Sequence, residues 1–245
     1  MKIKVTFLGT ATSIGVPVIA CDCPVCTSDD KKDKRFRASI HIQVNDKSLV
    51  VDCGPDFRIQ MIRENISNLD AVLFTHEHRD HIAGLDDVRA FNYVLNKKID
   101  IYGIERVMEA IKVEFPYIFK ESARYFGAPQ INIHNIENKP FFINDIEIIP
   151  IEVITLNTKI TDASYISEKE KEKIANSKVI VLNALRNSKH VSHFSLSEAV
   201  EIIEELKPER AFITHVSHFI GKHEDVNARL PDYINLAYDS QVIEL

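Results

Sequence analysis

The stretch Thr75-His76-Glu77-His78-Arg79-Asp80-His81 gathers three imidazoles and an aspartate into one short loop. It follows the apolar segment 71–74, which is bounded by turn residues and is predicted to be a β-strand. In an extended chain the first two histidines point to the same side, and a turn after them can aim the aspartate and the last histidine at a neighbouring point. Imidazole and carboxylate suit Zn²⁺, Mn²⁺ or Fe²⁺, so the stretch predicts a metal site, with room for two ions, at a strand end. A solvated polar loop is the alternative.

Working outward from this loop, short alternating or apolar segments predict strands, and capped segments predict helices. The predicted strands are 2–8, 38–44, 48–51, 71–74, 99–102, 131–135, 141–143, 146–154, 178–182 and 211–214, with a closing hairpin in 233–244. The predicted helices are 56–65, 86–95, 104–119 with a break at Pro116, 167–175 and 195–206. Strands early, helices between and strands late indicate an α/β protein with two packed β-sheets and helices outside, in a single domain of residues 1–245.

Composition narrows the classes of function. The chain of 245 residues is 45% hydrophobic and 27% charged, and 36 acidic against 30 basic residues give a formal net charge of −6. An acidic total argues against a nucleic-acid partner, whose backbone calls for clustered Lys and Arg. The first residues alternate like a strand and lack the apolar run of a signal peptide, and no stretch approaches the roughly 18 apolar residues of a membrane span. We therefore expect a cytoplasmic protein with no membrane partner.

Three of the four cysteines, Cys21, Cys23 and Cys26, lie within six positions. They are too close together for a set of long-range disulfides, and in a chain without an export signal such a cluster favours a metal site. Three free thiols on a loop are the alternative. Cys53 follows a predicted strand and is expected to be a small buried residue.

The His-x-His-x-Asp-His pattern after a strand resembles the signature of the metallo-β-lactamase fold superfamily, an αββα sandwich of two mixed β-sheets flanked by helices. The resemblance extends over nearly the whole chain. Within the superfamily, the Cys21-x-Cys23-x-x-Cys26 insert and the ending Thr214-His215-Val216-Ser217-His218 look like the phosphoribosyl 1,2-cyclic phosphate phosphodiesterase branch. The resemblance implies two divalent ions, zinc or manganese, at the active site and one structural zinc.

The resemblance also implies a ligand for each position. Metal one would be held by His76 and His78, metal two by Asp80, His81 and His215, with Asp162 bridging both ions. The structural zinc would be held by Cys21, Cys23, Cys26 and His218, a closed set of four protein ligands. Taken alone, Asp162 looks like a turn or cap residue, and only the resemblance makes it a ligand. The resemblance also suggests that Asp52 orients the histidine loop, a role that the residues alone do not prove.

The chain departs from the superfamily pattern at metal one. The pattern supplies a third histidine before the bridging aspartate, but this sequence has no histidine between His134 and His190. Either the loop is lost or a segment is absent from the sequence as printed. If it is lost, metal one would bind weakly or need water to complete its shell, whereas metal two keeps all its ligands.

The function implied by the resemblance is that of a metal-dependent hydrolase, a phosphodiesterase that cleaves a small cyclic phosphate or phosphate diester through a metal-bound hydroxide. His193 would be the catalytic residue that protonates the leaving oxygen, and His190 is expected to be an ordinary surface residue. The partner would be a small phosphate-ester substrate, and a homodimer is compatible with this interpretation. Two alternatives stay open: an RNA-processing nuclease of the same superfamily, and a metal-stabilised binding protein that has lost hydrolysis.

Overall fold

The computed structural model describes residues 2–119, 127–154 and 163–245. The chain divides into two compact units. Unit one comprises Met1–Leu8, Ser39–Pro150 and Val242–Leu245, and unit two comprises Gly9–Ala38 and Ile151–Gln241. The single domain expected for residues 1–245 stays a prediction. Among the described residues, no helix combines the length and the apolar character that crossing a membrane requires.

Unit one is built on a seven-stranded mixed sheet. Its strands, numbered along the chain, are β1 (Ile3–Gly9), β2 (Ser39–Val44), β3 (Lys47–Val51), β4 (Ala71–Leu73), β5 (Ile99–Gly103), β6 (Ile131–Asn135) and β14 (Val242–Glu244). The spatial order is β14-β1-β2-β3-β4-β5-β6. The run from β3 to β6 is parallel, whereas β2 pairs with β3, and β14 with β1, in antiparallel register. A separate antiparallel pair joins β7 (Phe141–Ile143) to β8 (Ile146–Ile148).

The core of unit one lies on the parallel part of this sheet. The helices of this unit are α1 (Phe57–Arg63), α2 (Arg79–Ile82), α3 (Arg89–Leu95), α4 (Glu105–Glu114) and α5 (Pro116–Phe119). Val72 of β4 and Ile101 of β5 are fully buried in one apolar cluster with Leu85 and with Met108 of α4. The predicted helix break at Pro116 is confirmed, because the proline ring cannot continue the preceding turn.

Unit two contains a three-stranded parallel sheet, β11 (Val179–Asn183), β12 (Arg210–Thr214) and β13 (Ile234–Leu236). A short antiparallel pair joins β9 (Val153–Ile154) to β10 (Tyr165–Ile166). Its helices are α6 (Glu168–Ile174), α7 (Leu196–Leu206) and α8 (His223–Asn227). Ser195 and Glu198 form the predicted capping box of α7, in which each side chain bonds the other residue's backbone N–H. Ala199, Ile203 and Leu206 then bury one face of this helix.

Two sequence-based expectations are wrong. Residues 233–244 do not form a hairpin, because β13 pairs in parallel with β12 and β14 pairs antiparallel with β1. Each strand thereby satisfies its backbone groups in a different sheet. The single strand expected at 146–154 is interrupted, since β8 ends before Pro150, which has no N–H to donate to a ladder.

Candidate active site

The histidine loop leaves the sheet of unit one directly after β4. The N–H of Phe74 still donates to the carbonyl of Tyr102 at 2.7 Å, which extends the β4–β5 ladder by one residue. The backbone is extended at His78 and turns into α2 at the next residue. This is the extended stretch followed by a turn that the sequence predicts. His76 and His81 are buried, whereas His78 is exposed.

Two pairs of ligand atoms converge in this loop. His76 Nε2 lies 2.9 Å from His78 Nδ1, and His81 Nε2 lies 3.3 Å from Asp80 Oδ2. Two donor atoms that bind one zinc ion at about 2.0–2.1 Å, with a bond angle of about 90–110°, lie about 2.9–3.4 Å apart. Both separations fit this range. The loop residues therefore suit divalent ions, with one pair for each of the two predicted metals.

Asp52 orients the last of these histidines. Its backbone follows β3, the parallel neighbour of β4, and its side chain is buried. Asp52 Oδ2 accepts from His81 Nδ1 at 2.7 Å and from the Thr75 hydroxyl at 2.6 Å, and Oδ1 accepts from Thr75 N–H at 2.8 Å. A proton held on Nδ1 leaves Nε2 of His81 as the nitrogen that is available to a metal ion. The role that the superfamily pattern suggests for Asp52 therefore has a geometric basis.

The turn that carries Asp52 is locked against α2. Cys53 N–H donates to His81 O at 2.9 Å, and Gly84 N–H donates back to Cys53 O at 2.8 Å. A Cβ atom on Gly84 would lie 2.2 Å from the carbonyl oxygen of Gly54, so only glycine allows this approach. Cys53 is fully buried here, as predicted. The distance from Asp52 to His81 is thus set by backbone contacts on both sides.

The pKa of His81 is raised by the carboxylates around it, although the side chain is buried. Burial by itself would lower the pKa, but the charge and hydrogen bond of Asp52, together with Asp80, outweigh burial and raise it to about 10. Asp52 and Asp80, which favour a proton on the His81 imidazole, would also favour a divalent cation in the place of that proton.

The two other charged side chains of the motif point to α4. Glu77 pairs with Arg106 at 3.2 Å, and Arg79 pairs with Glu114. These ion pairs hold the loop against the helix. Glu77 and Arg79, the two charged motif residues that are not predicted ligands, therefore have a structural role.

In unit two the structure brings the cysteine cluster and His218 together. The Sγ atoms of Cys21, Cys23 and Cys26 lie 3.3, 3.4 and 3.4 Å from His218 Nδ1, and all four donor atoms lie within 4.8 Å of one another. In a tetrahedral zinc site with Zn–S of about 2.3 Å and Zn–N of about 2.05 Å, sulfur and nitrogen lie about 3.5 Å apart. The arrangement fits the predicted closed Cys₃His site.

The thiols of this cluster differ in their acidity. A hydrogen bond from the backbone N–H of Cys26, at 3.5 Å, lowers the pKa of Cys23 to about 6. Burial raises the pKa of Cys26 to about 11. Cys23 therefore offers a thiolate near neutral pH, whereas Cys26 needs a cation to become one.

His215 and His193 lie next to each other in unit two. His215 follows β12, is buried and has a left-handed backbone with φ of 56°. The ring of His193 stacks on that of His215, with centroids 5.1 Å apart and planes at 24°. His190 contacts His193 in turn, with centroids 5.3 Å apart. His190 is half-buried, and its expected role as an ordinary surface residue stays a prediction.

Comparison with known proteins decides the family. The family described as the β-lactamase superfamily domain matches residues 47–159 and 160–216, which is more than half of the chain. The chain belongs to the β-lactamase superfamily. The predicted α/β fold of the metallo-β-lactamase type is thereby confirmed.

Individual relatives give a finer view of this superfamily member. The protein in the crystal structure of a new diphosphatase from the PhnP family is 36% identical in sequence to this chain. The match covers 100% of this chain and 98% of that one, with a TM-score of 0.93. An octanoyltransferase of Porphyromonas gingivalis is 33% identical over 95% of this chain and 49% of that protein. A ribonuclease Z of Nanoarchaeum equitans is 29% identical over 63% of this chain and 49% of that protein. The chain thus spans about half the length of these curated relatives.

The predicted ligands of this β-lactamase superfamily member fall into three groups. Those that converge within unit one are His76, His78, Asp80 and His81. Those that lie within unit two are Cys21, Cys23, Cys26, His215 and His218. The last, Asp162, lies outside the described residues. Since residues 155–162 are not described, the consequence of the missing histidine for metal one also stays a prediction.

Sequence reasoning did not predict the contact of His190 with His193, and it left the role of Asp52 unproved. A usable signal existed for Asp52, because it directly follows the predicted strand 48–51, and the next predicted strand, 71–74, leads into the histidine loop. The carboxyl ends of parallel neighbours share one edge of a sheet. His190 lies in an irregular loop, where spacing predicts no contact.

Proposed function

We propose that the protein is a cytoplasmic metal-dependent hydrolase, a phosphodiesterase that cleaves small cyclic phosphates or phosphate diesters. The observation that carries the proposal is the convergence of ligand atoms in the histidine loop, 2.9 Å apart for His76 and His78 and 3.3 Å apart for Asp80 and His81. A solvated polar loop would not need a buried carboxylate to orient one of its histidines.

Divalent ions bound at these residues would polarise a phosphoryl oxygen and make a water molecule nucleophilic at neutral pH. His76 and His78 would hold one ion, and Asp80 and His81 the other. The resemblance adds His215 to the second ion and Asp162 as a bridge, and we keep both assignments as part of the proposal. The Cys₃His cluster would hold a structural zinc, because four protein ligands leave no position for substrate.

His193 is the residue that we propose for proton transfer. Its ring stacks on His215, a proposed ligand, so it lies beside the metal-binding machinery of its own unit. In the hydrolysis, the water oxygen bonds to phosphorus while the bond from phosphorus to the leaving oxygen breaks. The leaving oxygen takes a proton from His193, and the proton lost by the attacking water restores the imidazole.

The test combines metal analysis with turnover of 2′,3′-cyclic AMP by the purified protein, because its alkoxide leaving group needs a proton, whereas p-nitrophenolate would leave without one. We expect His193→Ala to lower kcat by about 10²–10⁴, the usual contribution of a general acid, with unchanged metal content. Val191→Ala is the matched control, because this side chain lies two residues away and is 66% exposed. Full activity of His193→Ala would refute the role of His193, and a metal-loaded protein that cleaves no phosphate ester would refute the function.

A second candidate is hydrolysis of a diphosphate bond, favoured by the diphosphatase at 36% identity. Comparing kcat/KM for a cyclic phosphate, a diester and a diphosphate ester separates the two. RNA cleavage with strongly salt-dependent binding would favour the nuclease alternative. Roughly one zinc per chain and no turnover would favour a binding protein.

A further inference from the structure

The loop between β11 and α7 carries two histidines, of which the proposed function uses only one. At its base, Leu185 N–H donates to Phe194 O at 2.9 Å. Within it, the guanidinium of Arg186 donates to the carbonyl oxygens of Ser188 at 3.3 Å and Lys189 at 3.0 Å. The loop is therefore shaped by its own polar groups before any substrate binds.

This loop places three imidazoles in a row of ring contacts. His215 contacts His193 at 5.1 Å between centroids, and His193 contacts His190 at 5.3 Å with planes at 31°. His190 is thus the end of the row that the metal assignments do not use. Aromatic contacts of this separation favour a defined relative orientation of the rings.

His190 is itself held in place. The backbone N–H of Ser192 donates to His190 Nδ1 at 3.3 Å, and the Ser192 hydroxyl lies 3.0 Å from the same nitrogen. A backbone N–H can only donate, so Nδ1 is an acceptor and the proton of the neutral ring is on Nε2. Burial, and then the charge of Arg186, lower the pKa of His190, which favours this neutral form.

We propose that His190 is a positioning residue for His193: its anchored ring restricts the His193 imidazole to the orientation in which it can protonate the leaving oxygen. The inference rests on the proposed function, since it requires that His193 transfers a proton. A misplacement of about 1 Å at a reacting group can cost about 10²-fold in rate. Loss of a ring that only restricts rotation costs less, and we expect a decrease in kcat of about tenfold with little change in KM.

The experiment is a double-mutant cycle on the metal-loaded protein, with 2′,3′-cyclic AMP as substrate, since its alkoxide leaving group depends on a proton from His193. His190→Ala should lower kcat about tenfold, and His190→Phe, which keeps a ring against His193, should recover most of that loss. In a His193→Ala background the His190→Ala change should have no further effect, because nothing remains to be positioned. Val191→Ala should match the parent throughout.

The outcomes separate this inference from the proposed function. A slow His193→Ala protein beside a fully active His190→Ala protein overturns the inference alone. An equally large effect of His190→Ala in both backgrounds also overturns it, because it would show a general structural role. Full activity of His193→Ala overturns both. Metal content and urea midpoints of all variants are measured alongside, so that loss of folding is recognised.

Discussion

Replacing Asp52 with asparagine tests how the histidine loop is held ready for metal. The backbone at this position has φ of 61°, a left-handed conformation that asparagine adopts more readily than most residues. Asp52→Asn therefore preserves the turn, whereas alanine would add backbone strain. The exchange turns one of two acceptor oxygens into a donor, in a buried site where these oxygens accept from three groups.

Neither orientation of the new amide satisfies its surroundings. If the NH₂ group replaces Oδ1, it faces the N–H of Thr75 at 2.8 Å, and two donors meet. If it replaces Oδ2, it faces His81 Nδ1 at 2.7 Å, and His81 must carry its proton on Nε2, the atom that faces Asp80. A buried unpaired donor costs about 1–3 kcal/mol. Loss of a carboxylate that orients a metal-binding histidine costs about 10–100-fold in metal affinity.

Cobalt titration of the metal-free protein measures this effect. Co²⁺ bound by cysteine thiolates has a sulfur-to-metal charge-transfer band, whereas Co²⁺ in the histidine loop does not, so the two sites are read separately. We expect Asp52→Asn to raise the Kd of the loop site about 10–100-fold and to leave the thiolate site unchanged. Urea unfolding without metal should show a loss of about 1–3 kcal/mol.

Asp100→Asn is the matched control, because Asp100 also pairs with a histidine, His134 at 3.2 Å, but both side chains are partly exposed. This variant should bind cobalt like the parent protein. Equal loop affinity in Asp52→Asn, Asp100→Asn and the parent would refute the reasoning that Asp52 sets the metal-binding form of His81.

Two further predictions concern stability. Cys23→Ser should weaken the cobalt charge-transfer band, because one of its three thiolates is lost, and should reduce the rise in urea midpoint on adding zinc, because structural zinc binding contributes directly to folding; an unchanged band together with a midpoint as zinc-dependent as that of the parent would contradict the closed site. Burial, and then the charge of Lys4, lower the pKa of His41 from 6.5 to about 4. Between these pH values the unfolded chain binds a proton that the folded chain does not. The free energy of unfolding therefore falls as the pH drops from about 6.5 to 4, by at most about 1.4 kcal/mol per pH unit. His41→Gln should flatten the difference in unfolding free energy between pH 7 and pH 5, and an unchanged difference would contradict it.

Sequence and structure agree best where chemistry is local. His76, His78, Asp80 and His81 lie within six positions, so one strand end and one helical turn suffice to bring their donor atoms together. The α7 capping box likewise spans only four residues, and its geometry follows from backbone groups that every helix start leaves unsatisfied. Such features can be predicted because few chain conformations are compatible with them.

Other features needed information from outside the local chain. Residues 233–244 have the pattern of two strands, yet the pairing partner of each strand depends on which edge of which sheet is available. The roles of Asp52 and His190 are of the same kind. Asp52 acts on a histidine 29 residues further along the chain, and His190 acts in a loop whose shape comes from hydrogen bonds of Arg186 to backbone carbonyls.

By itself the sequence determined the superfamily, the donor types that the histidine loop offers and the identity of the cysteine cluster, because the donor types and their short spacings are encoded residue by residue. The resemblance assigned His218 to the cysteine cluster, but only the tertiary structure placed its Nδ1 at 3.3–3.4 Å from the three thiols, which lie 192 or more residues away. It also decided which nitrogen of His81 faces Asp52 and which faces Asp80, and which rings lie against His193. The physical reason is that a proton position or a ring orientation is set by the nearest neighbour in space, and spacing along the chain carries no information about a neighbour brought there by folding.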